Sequence, residues 1–402
     1  MTSFPVARAD RPAEELRVTH VVFDLQYGGL ERLVLALAAR LAGTTTRVSV
    51  ITLGPADRPL ARQVAAHASE FHAHRSMRGL SMVAPLSLAR RIRRTAPHVV
   101  HVHSGSWYKG GLAARLAGVP CVVYTEHGVV PGGHWMGWWL RRAAARLTDV
   151  FVAVSGAVQL QLAAEFPHTT ARLICIENGT DTEFYSPGRH SSELARLLAI
   201  PDDAVVVGSV GRFEPVKGYE TLLRAFAWMR ERATAGSRAY LVLCGSGSEG
   251  PTLRALATEL GVSAYVRWPG LVEPLEYYRL FDIFALTSYS EGIPLSLLEA
   301  MACGVPPVVS DVGANAEVVG PDLRAHVVAA RDVTGTATVL DTLCRSAGAR
   351  RKAGELARNR VVARYNLDRM VAAYVDVYRG GSGSEGREAA VERPRITSSP
   401  KW

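Results

Sequence analysis

Cysteine is scarce in this chain of 402 residues, and its placement excludes two kinds of structure. The five cysteines are scattered, and no two of them have the spacing Cys-x-x-Cys. An odd number of scattered cysteines argues against both a disulfide framework and a zinc site. The composition instead fits a protein of the reducing cytosol.

Long hydrophobic segments are also absent. The first 16 residues (MTSFPVARADRPAEEL) contain no apolar core of signal-peptide length, which would need about 7–15 residues. No run approaches the roughly 18 uncharged apolar residues that cross a bilayer. We therefore expect no signal peptide, no membrane-spanning helix and a cytoplasmic location.

Lysine is rare, with four lysines against 42 arginines, and the positive charge is unevenly placed. Residues 1–190 hold 21 basic and 13 acidic side chains, whereas residues 191–402 hold 25 and 24. This excess in the first half indicates an anionic partner: a phosphate, a membrane surface or a nucleic acid. Nucleic-acid-binding modules combine basic and aromatic residues on a recognition helix or sheet, and we find no such signature.

Short β-rich apolar runs alternate with helical patterns, which is typical of βαβ units and parallel sheets. With 48% hydrophobic residues the chain can bury large cores, and its length corresponds to two or three domains at about 150 residues each. The predicted strands are residues 18–23, 47–52, 98–103, 121–125, 150–154 and 173–176, then 205–210, 240–244, 265–267, 283–286, 307–310 and 325–328.

A polar, turn-rich stretch at residues 178–203 separates these two series of strands. We therefore predict an α/β protein with two doubly wound, Rossmann-like domains, at residues 17–188 and 189–363. Residues 1–16 and the Gly/Ser-rich tail 380–402 are expected to be disordered.

Ligands of such sheets bind at the carboxyl ends of strands, near helix N-termini. After the first predicted strand, Gly28 and Gly29 precede a helix, and paired glycines let the backbone approach a ligand closely. This turn predicts a phosphate or sugar cradle, with an ordinary tight turn as the alternative.

The second domain opens with a similar strand-to-helix turn at residues 211–218, GRFEPVKG. Arg212 and Lys217 on one such turn can both reach a diphosphate, Arg as a fork and Lys as a point charge. A solvated surface is the alternative, but a lysine is an unusual choice in this arginine-rich chain.

Two glutamates flank the start of a later apolar helix. Pro294 fits its first turn and Gly304 its end. Because helical side chains lean toward the N-terminus, Glu299 can point back at the same place that Glu291 adjoins. A carboxylate accepts hydrogen bonds from two hydroxyls, as on a ribose or sugar ring, so we predict that the glutamates bind such a ring here. One buried glutamate alone could be structural.

These segments carry a family resemblance. The chain resembles the retaining nucleotide-sugar glycosyltransferases of family 4, which have the GT-B fold, two Rossmann-like domains facing a central cleft. The likeness runs from about residue 17 to 379 and is strongest over residues 205–320. It rests on residues 28–31, 125–128, 177–181, 211–218, 291–299 and 304–306, in the order in which that family has them.

The resemblance implies roles for matching residues. Glu299 would hold the ribose, Glu291 a hydroxyl of the transferred sugar, and His127 would sit against that sugar from the first domain. Leu271 would face the base. The implied catalytic residues are Arg212, Lys217, Glu291 and His127, and the implied donor-binding residues are Gly28, Gly29, Gly211, Leu271, Leu295, Ser296 and Glu299.

The resemblance also implies a C-terminal helix, residues 364–379, that crosses back onto the first domain. Pro294 departs from the family, which often has Gly there. Because proline has no N–H, phosphate-binding amides would come from Leu295 and Ser296.

The chemistry expected at this site follows from charge. Breaking a sugar–diphosphate bond places negative charge on the leaving group, and two cations with a helix N-terminus would stabilise it. They could replace a divalent metal, and we see no Asp-x-Asp pair in the expected cleft. We therefore predict a metal-independent enzyme with no cofactor.

Three weaker signals leave alternatives open. Residues 245–250 match the dinucleotide pattern G-x-G-x-x-G, but at the second strand of their domain rather than the first; an edge of the donor pocket is the other interpretation. His101 and His103 share one strand face and, with His127 and His134, could imitate a metal site, although no fourth oxygen or sulfur ligand is evident.

Tryptophans and arginines are close together at residues 134–142, and helix 85–95 carries four arginines. This pattern predicts either an interfacial patch for anionic lipid or ordinary core and solvated helix faces. A patch would place the protein on the inner face of the cytoplasmic membrane, where it would suit a lipid-linked acceptor.

The predicted function is transfer of a sugar from a nucleotide-diphosphate sugar to a glycan or lipid-linked acceptor, with retention of configuration, in polysaccharide or glycoconjugate biosynthesis. The alternatives are a GT-B-shaped sugar-nucleotide epimerase or phosphorylase, and a binding protein without turnover.

Overall fold

The computed structural model describes residues 15–26, 28–74, 81, 83–128, 135–189, 191–232 and 239–380. The segments expected to be disordered, 1–16 and 380–402, lie outside the described residues except for residues 15, 16 and 380.

The first sheet has seven parallel strands in the order β3-β2-β1-β4-β5-β6-β7. Its strands are β1 (Leu16–Val22), β2 (Thr46–Thr52), β3 (Glu70–Ala73), β4 (Val99–His103), β5 (Cys121–Glu126), β6 (Val150–Ala153) and β7 (Arg172–Cys175).

The second sheet has six parallel strands in the order β10-β9-β8-β11-β12-β13. Its strands are β8 (Val205–Val210), β9 (Ala239–Cys244), β10 (Val266–Gly270), β11 (Ile283–Leu286), β12 (Pro307–Ser310) and β13 (Val327–Val328).

Helices connect the strands and cover both faces of each sheet. In the first half they are α1 (Gly29–Leu41), α2 (Pro59–His67), α3 (Leu86–Arg94), α4 (Trp107–Ala117), α5 (Trp135–Ala145) and α6 (Gly156–Glu165). In the second half they are α7 (Ser192–Leu197), α8 (Tyr219–Arg232), α9 (Gly250–Glu259), α10 (Leu275–Leu280), α11 (Leu295–Ala302), α12 (Asn315–Val319), α13 (Val333–Arg345), α14 (Ala347–Arg364) and α15 (Leu367–Tyr378).

The two doubly wound sheets confirm the predicted fold class, and each predicted strand has a counterpart. One strand, β3, was not predicted. Its residues Glu70–Ala73 are exposed or only half-buried at the sheet edge. Such a strand lacks the apolar run by which buried parallel strands are recognised.

The chain crosses between the sheets at two places that touch each other. Thr180 and Asn366 form an isolated parallel bridge, and Arg364 pairs with Glu177 at 2.6 Å. Beyond this crossing, α15 packs into the core of the first sheet through Met370 and Tyr374. The second sheet has its own two cores on its opposite faces.

The strand order fixes where ligands collect. In each sheet the connections reverse direction at a central pair of strands, β1 and β4 in one and β8 and β11 in the other. The carboxyl ends at such a switch point form a crevice in doubly wound sheets. The turn that leaves β8 is residues 211–218, which was singled out in the sequence, and the turn that leaves β11 is residues 287–294, which contains Glu291 and Pro294.

Candidate active site

The turn after β8 places Lys217 beside the turn that follows β11. A short 3₁₀ helix, Pro215–Lys217, ends at Gly218, whose φ of 61° lies in the left-handed region. Lys217 Nζ donates a 2.6 Å hydrogen bond to Glu291 Oε1, and Ser288 Oγ donates to the same oxygen at 2.6 Å. A lysine and a glutamate 74 residues apart therefore form one charged pair at the switch point.

Arg212 lies on the same turn but is exposed. Its guanidinium makes no hydrogen bond or ion pair with any residue that the structure describes. It acts electrostatically on Glu31 at the start of α1: burial raises the pKa of Glu31, and Arg212 opposes that rise. Arg212 is thus a cation close to the first domain and available to an anion between the two turns.

The N-terminus of α11 supplies unpaired amides. Pro294 is the residue before the helix, with extended backbone at φ −74° and ψ 121°, one position earlier than the first-turn placement expected from the sequence. Its carbonyl accepts from the N–H groups of Leu297 and Leu298. The N–H groups of Leu295 and Ser296 have no acceptor among the described residues, so they are free to bind an anion.

The start of α1 faces the start of α11 across the two domains. Gly28 is the residue before α1 and Gly29 its first residue. A Cβ atom built on Gly29 would lie 3.9 Å from Leu295 Cγ. Two helix N-termini, each with a positive dipole end, therefore meet at the same place.

Glu299 is buried and is held by residues of both domains. Arg32 Nη1, from α1, lies 2.9 Å from Oε1 and 3.0 Å from Oε2 of Glu299, and Tyr278 OH donates to Oε2 at 2.8 Å. Arg32 Nη2 also donates to Tyr185 OH at 2.6 Å. Burial raises the pKa of Glu299, while Arg32 and the tyrosine hydrogen bonds lower it. At least three of the roughly four acceptor positions of this carboxylate are therefore already used.

His127 follows β5 and lies against the second domain. Its backbone oxygen is so close to Gly292 that a Cβ there would overlap it, which explains why a glycine follows Glu291. Burial lowers the pKa of His127 to about 3, so the imidazole is neutral. Its Nε2 lies 3.0 Å from His103 Nδ1.

Three buried histidines lie beneath His127. Ligand atoms of His20, His101 and His103 all lie within 4.8 Å of one another. His101 bonds to Tyr378 OH and Thr125 Oγ1, each at 2.7 Å, and His103 bonds to both His20 and His127. Five of the six ring nitrogens therefore already have a hydrogen-bond partner among the described residues. His134 lies outside the described residues.

The glycine-rich segment 245–250 packs against the turn after β8, residues 211–218. A Cβ on Gly245 or Gly247 would overlap the backbone of Gly211 or Phe213. Phe213 N–H donates to Ser246 O, and Glu249 N–H donates to Phe213 O, both at 2.9 Å. These glycines let two loops pack backbone to backbone. Gly211 itself is half-buried at the end of β8.

Leu271 is the first residue after β10 and is 55% exposed. It lies beyond the glycine-rich loop, whose Gly245 N–H bonds to Gly270 O at 2.7 Å. The structure therefore brings together Lys217, Glu291, the α11 amides and the Gly28–Gly29 turn. Arg212 lies on the same turn as Lys217. Leu271 lies at an exposed edge of the site.

Sequence reasoning missed Arg32, Tyr278, Tyr185 and Ser288. Arg32 directly follows the 28–31 motif. Its position in the first turn of the predicted helix could have indicated that it lies near the same site. Tyr278 and Ser288 gave no signal, because their contacts depend on how α10 and the β11 turn pack against α11.

The predicted interfacial patch is only partly exposed. Trp138 and Trp139 are 40% and 59% exposed, and Arg142 stacks on Trp138 at 4.0 Å. Arg141, in contrast, turns inward to Glu126 and Glu165. Trp135 has no described side chain. Among the described residues, none of the helices has both the length and the hydrophobicity to cross a bilayer.

Two Rossmann-like domains, each with its switch point at one cleft lined by cations and helix N-termini, define the GT-B class of glycosyltransferases. The family model "Glycosyl transferases group 1" matches residues 191–360, and "Glycosyltransferase Family 4" matches residues 27–184. The chain belongs to glycosyltransferase family 4.

Relatives and solved structures agree with this assignment. The chain is 30% identical to D-inositol 3-phosphate glycosyltransferase of Salinispora arenicola, over 74% of this chain and 72% of that one. It is 26% identical to the putative glycosyltransferase EpsF of Bacillus subtilis, over 91% and 97%. Its fold is similar to that of Anabaena HepE solved with UDP, with a TM-score of 0.76, 20% identity and coverage of 91% and 100%. The predicted class, a sugar-transferring enzyme, is confirmed.

Proposed function

We propose that this enzyme transfers a sugar from a nucleotide-diphosphate sugar to a hydroxyl acceptor with retention of anomeric configuration. The observation that carries the proposal is the group at the switch point of the second sheet. There Lys217 pairs with Glu291 at 2.6 Å, and Arg212 and the N–H groups of Leu295 and Ser296 have no partner among the described residues. A diphosphate is the ligand whose size and charge match two cations and a helix N-terminus.

Each group then has a separate task. Arg212, Lys217 and the α11 amides bind the diphosphate and stabilise the charge that develops as its bond to the sugar breaks. Glu291 accepts a hydrogen bond from a hydroxyl of the transferred sugar. Glu299, one turn inside α11, accepts from the ribose hydroxyls, and Leu271 borders the base.

Retention is proposed to follow from attack on the face that the diphosphate leaves. The bond between the anomeric carbon and the diphosphate oxygen breaks, and its electron pair stays on that oxygen. The oxygen of the acceptor hydroxyl forms the new C–O bond on the same face of the sugar. The acceptor proton passes to the departing phosphate oxygen. Lys217 and Arg212 would act in place of a divalent metal, since they already supply positive charge at the leaving group.

The names of relatives indicate which substrates to test first. HepE was solved with UDP-glucose, and several relatives are named as D-inositol 3-phosphate glycosyltransferases. We propose a polysaccharide or glycoconjugate product as the second to test. Family membership favours transfer over epimerisation, phosphorolysis or binding without turnover.

The decisive experiment incubates the enzyme with a panel of UDP-, GDP- and ADP-sugars, each with and without EDTA, and with inositol 3-phosphate or glycan acceptors. NMR of the product gives its anomeric configuration. We expect one donor to be consumed, EDTA to leave the rate unchanged, and the product to keep the donor's configuration. An inverted product, or activity that EDTA abolishes, would contradict the proposed mechanism.

We also propose a cytoplasmic enzyme that binds the inner surface of the membrane through α3 and α5. Arg90, Arg93 and Arg94 are exposed on α3, and Trp139 is exposed on α5. Each basic residue near an anionic surface contributes about 1 kcal/mol. Co-sedimentation with vesicles should rise with anionic lipid content and fall when the three arginines are changed to glutamine; binding that ignores lipid charge would refute the idea.

A further inference from the structure

Three imidazoles are joined in series beneath the proposed sugar site. His127 Nε2 lies 3.0 Å from His103 Nδ1, and His103 Nε2 lies 3.0 Å from His20 Nδ1. His20 and His103 have no exposed surface. They sit on adjacent strands, β1 and β4, whose register places His20 beside His101. The series therefore starts at the cleft and ends inside the first domain.

Both ends of this series are open. At the inner end, His20 Nε2 is buried and has no hydrogen-bond partner. At the outer end, His127 Nδ1 has no partner among the described residues. Burial lowers the pKa of His20 to about 3, as it does for His127, and lowers that of His103 well below its ordinary value. All three rings are thus neutral, with one N–H each.

Neutral rings in series have only two arrangements. In one, each ring donates inward, so that His20 Nε2 carries a buried N–H without an acceptor and His127 Nδ1 is a bare lone pair. In the other, each ring donates outward, so that His20 Nε2 is a lone pair and His127 Nδ1 carries the proton. Unpaired buried N–H groups are rarer in proteins than under-satisfied acceptors, so the outward arrangement is favoured.

We propose that His20 and His103 are positioning residues that hold His127 in the tautomer with its proton on Nδ1. His127 then presents an N–H donor, rather than an acceptor, to a hydroxyl of the transferred sugar. This last step rests on the proposed function, whereas the tautomer itself does not. Without the two inner rings, Nε2 of His127 would be free to take the proton.

The tautomer is measured directly by long-range ¹⁵N NMR on histidine-labelled wild-type enzyme. We expect the His127 signal to show protonated Nδ1 and unprotonated Nε2 throughout pH 6–8. His20→Leu should convert His127 to a mixture of tautomers. His101→Gln, which alters an equally buried neighbour outside the series, should leave the tautomer unchanged. A wild-type His127 with its proton on Nε2 would overturn the proposal.

A double-mutant cycle tests the functional consequence. His103→Phe should lower kcat about tenfold, the loss of one hydrogen bond of ordinary strength, but should have no effect in a His127→Ala background. An undiminished effect in that background would show that His103 does not act through His127. If no nucleotide sugar is consumed at all, the proposed function fails while the NMR result still decides the tautomer.

Discussion

Arg32 and Glu299 form an ion pair between the two domains. Glu299 is almost fully buried, whereas the Arg32 side chain keeps 28% of its exposure. Burial raises the pKa of Glu299, and Arg32 is the largest influence that lowers it. The guanidinium therefore favours the ionised form of the carboxyl group at the position proposed to bind the ribose.

Replacing Arg32 by glutamine should destabilise the protein in a pH-dependent way. The pKa of Glu299 in the folded state is already above its unfolded value and would rise further, so the folded state carries a penalty at pH above that pKa, and the penalty fades as Glu299 takes up a proton at lower pH. We expect a loss of about 2 kcal/mol at pH 8, less than for a fully buried pair because Arg32 is partly exposed, and a smaller loss at pH 5.5.

Arg40→Gln is the matched control for this substitution. Arg40 lies on the same helix and pairs with Asp181 at 2.8 Å, with both side chains about one-third exposed. Removing it should cost less than about 1 kcal/mol at either pH. Denaturant unfolding at the two pH values gives the comparison, and equal losses for Arg32→Gln at pH 5.5 and pH 8 would contradict the account.

The identity of most site residues was available from the sequence, but their partners were not. Lys217 and Glu291 stood out by type and by position after a strand. Arg32 and Glu299 are 267 residues apart, and only the packing of one domain on the other makes them neighbours. Short-range patterns do not contain that information.

The strands were predictable because buried parallel strands are continuous apolar runs. β8, β11 and β12 have the predicted bounds. The edge strand β3 escaped notice because its half-exposed residues do not form such a run. The start of α11 differs by one residue because an extended proline suits the position before a helix as well as the first turn.

The turn at Gly218 has two reasons to require glycine. Its φ is 61°, and a Cβ there would overlap the carbonyl oxygen of Thr287. Gly118, with φ 77°, has nothing within 4 Å of its Cβ direction. Gly118→Ala should therefore cost only the left-handed strain of about 1–2 kcal/mol.

Gly218→Ala should cost clearly more than Gly118→Ala and should also lower kcat, because moving the turn displaces Lys217 from Glu291. Thermal unfolding and turnover measured on both variants make the comparison. If the two variants lose the same stability and both keep full turnover, the close packing of this turn is not needed for the site.

The whole molecule places two switch points at one cleft. When strands are numbered within each domain, both sheets contain the order 3-2-1-4-5-6. In each domain the turns that follow the first and fourth strands therefore face the other domain. The sequence predicts both sheets and both turns, but not how closely the two domains approach; the near-contact between His127 and Gly292 is a property of the assembled domains.

Bound nucleotide should stabilise this assembly by about 2.7 kcal/mol at 100 times its Kd.

The central claim is that Lys217 and Arg212 stabilise the leaving diphosphate. It is tested most directly by measuring kcat for Lys217→Met and Arg212→Met with the donor that the enzyme consumes, alongside the exposed-lysine control Lys352→Met. We predict that kcat falls by about 10²–10³ for each site variant, with melting temperatures that show both are folded and with the control unchanged. Turnover within twofold of wild type in both folded site variants would contradict the claim.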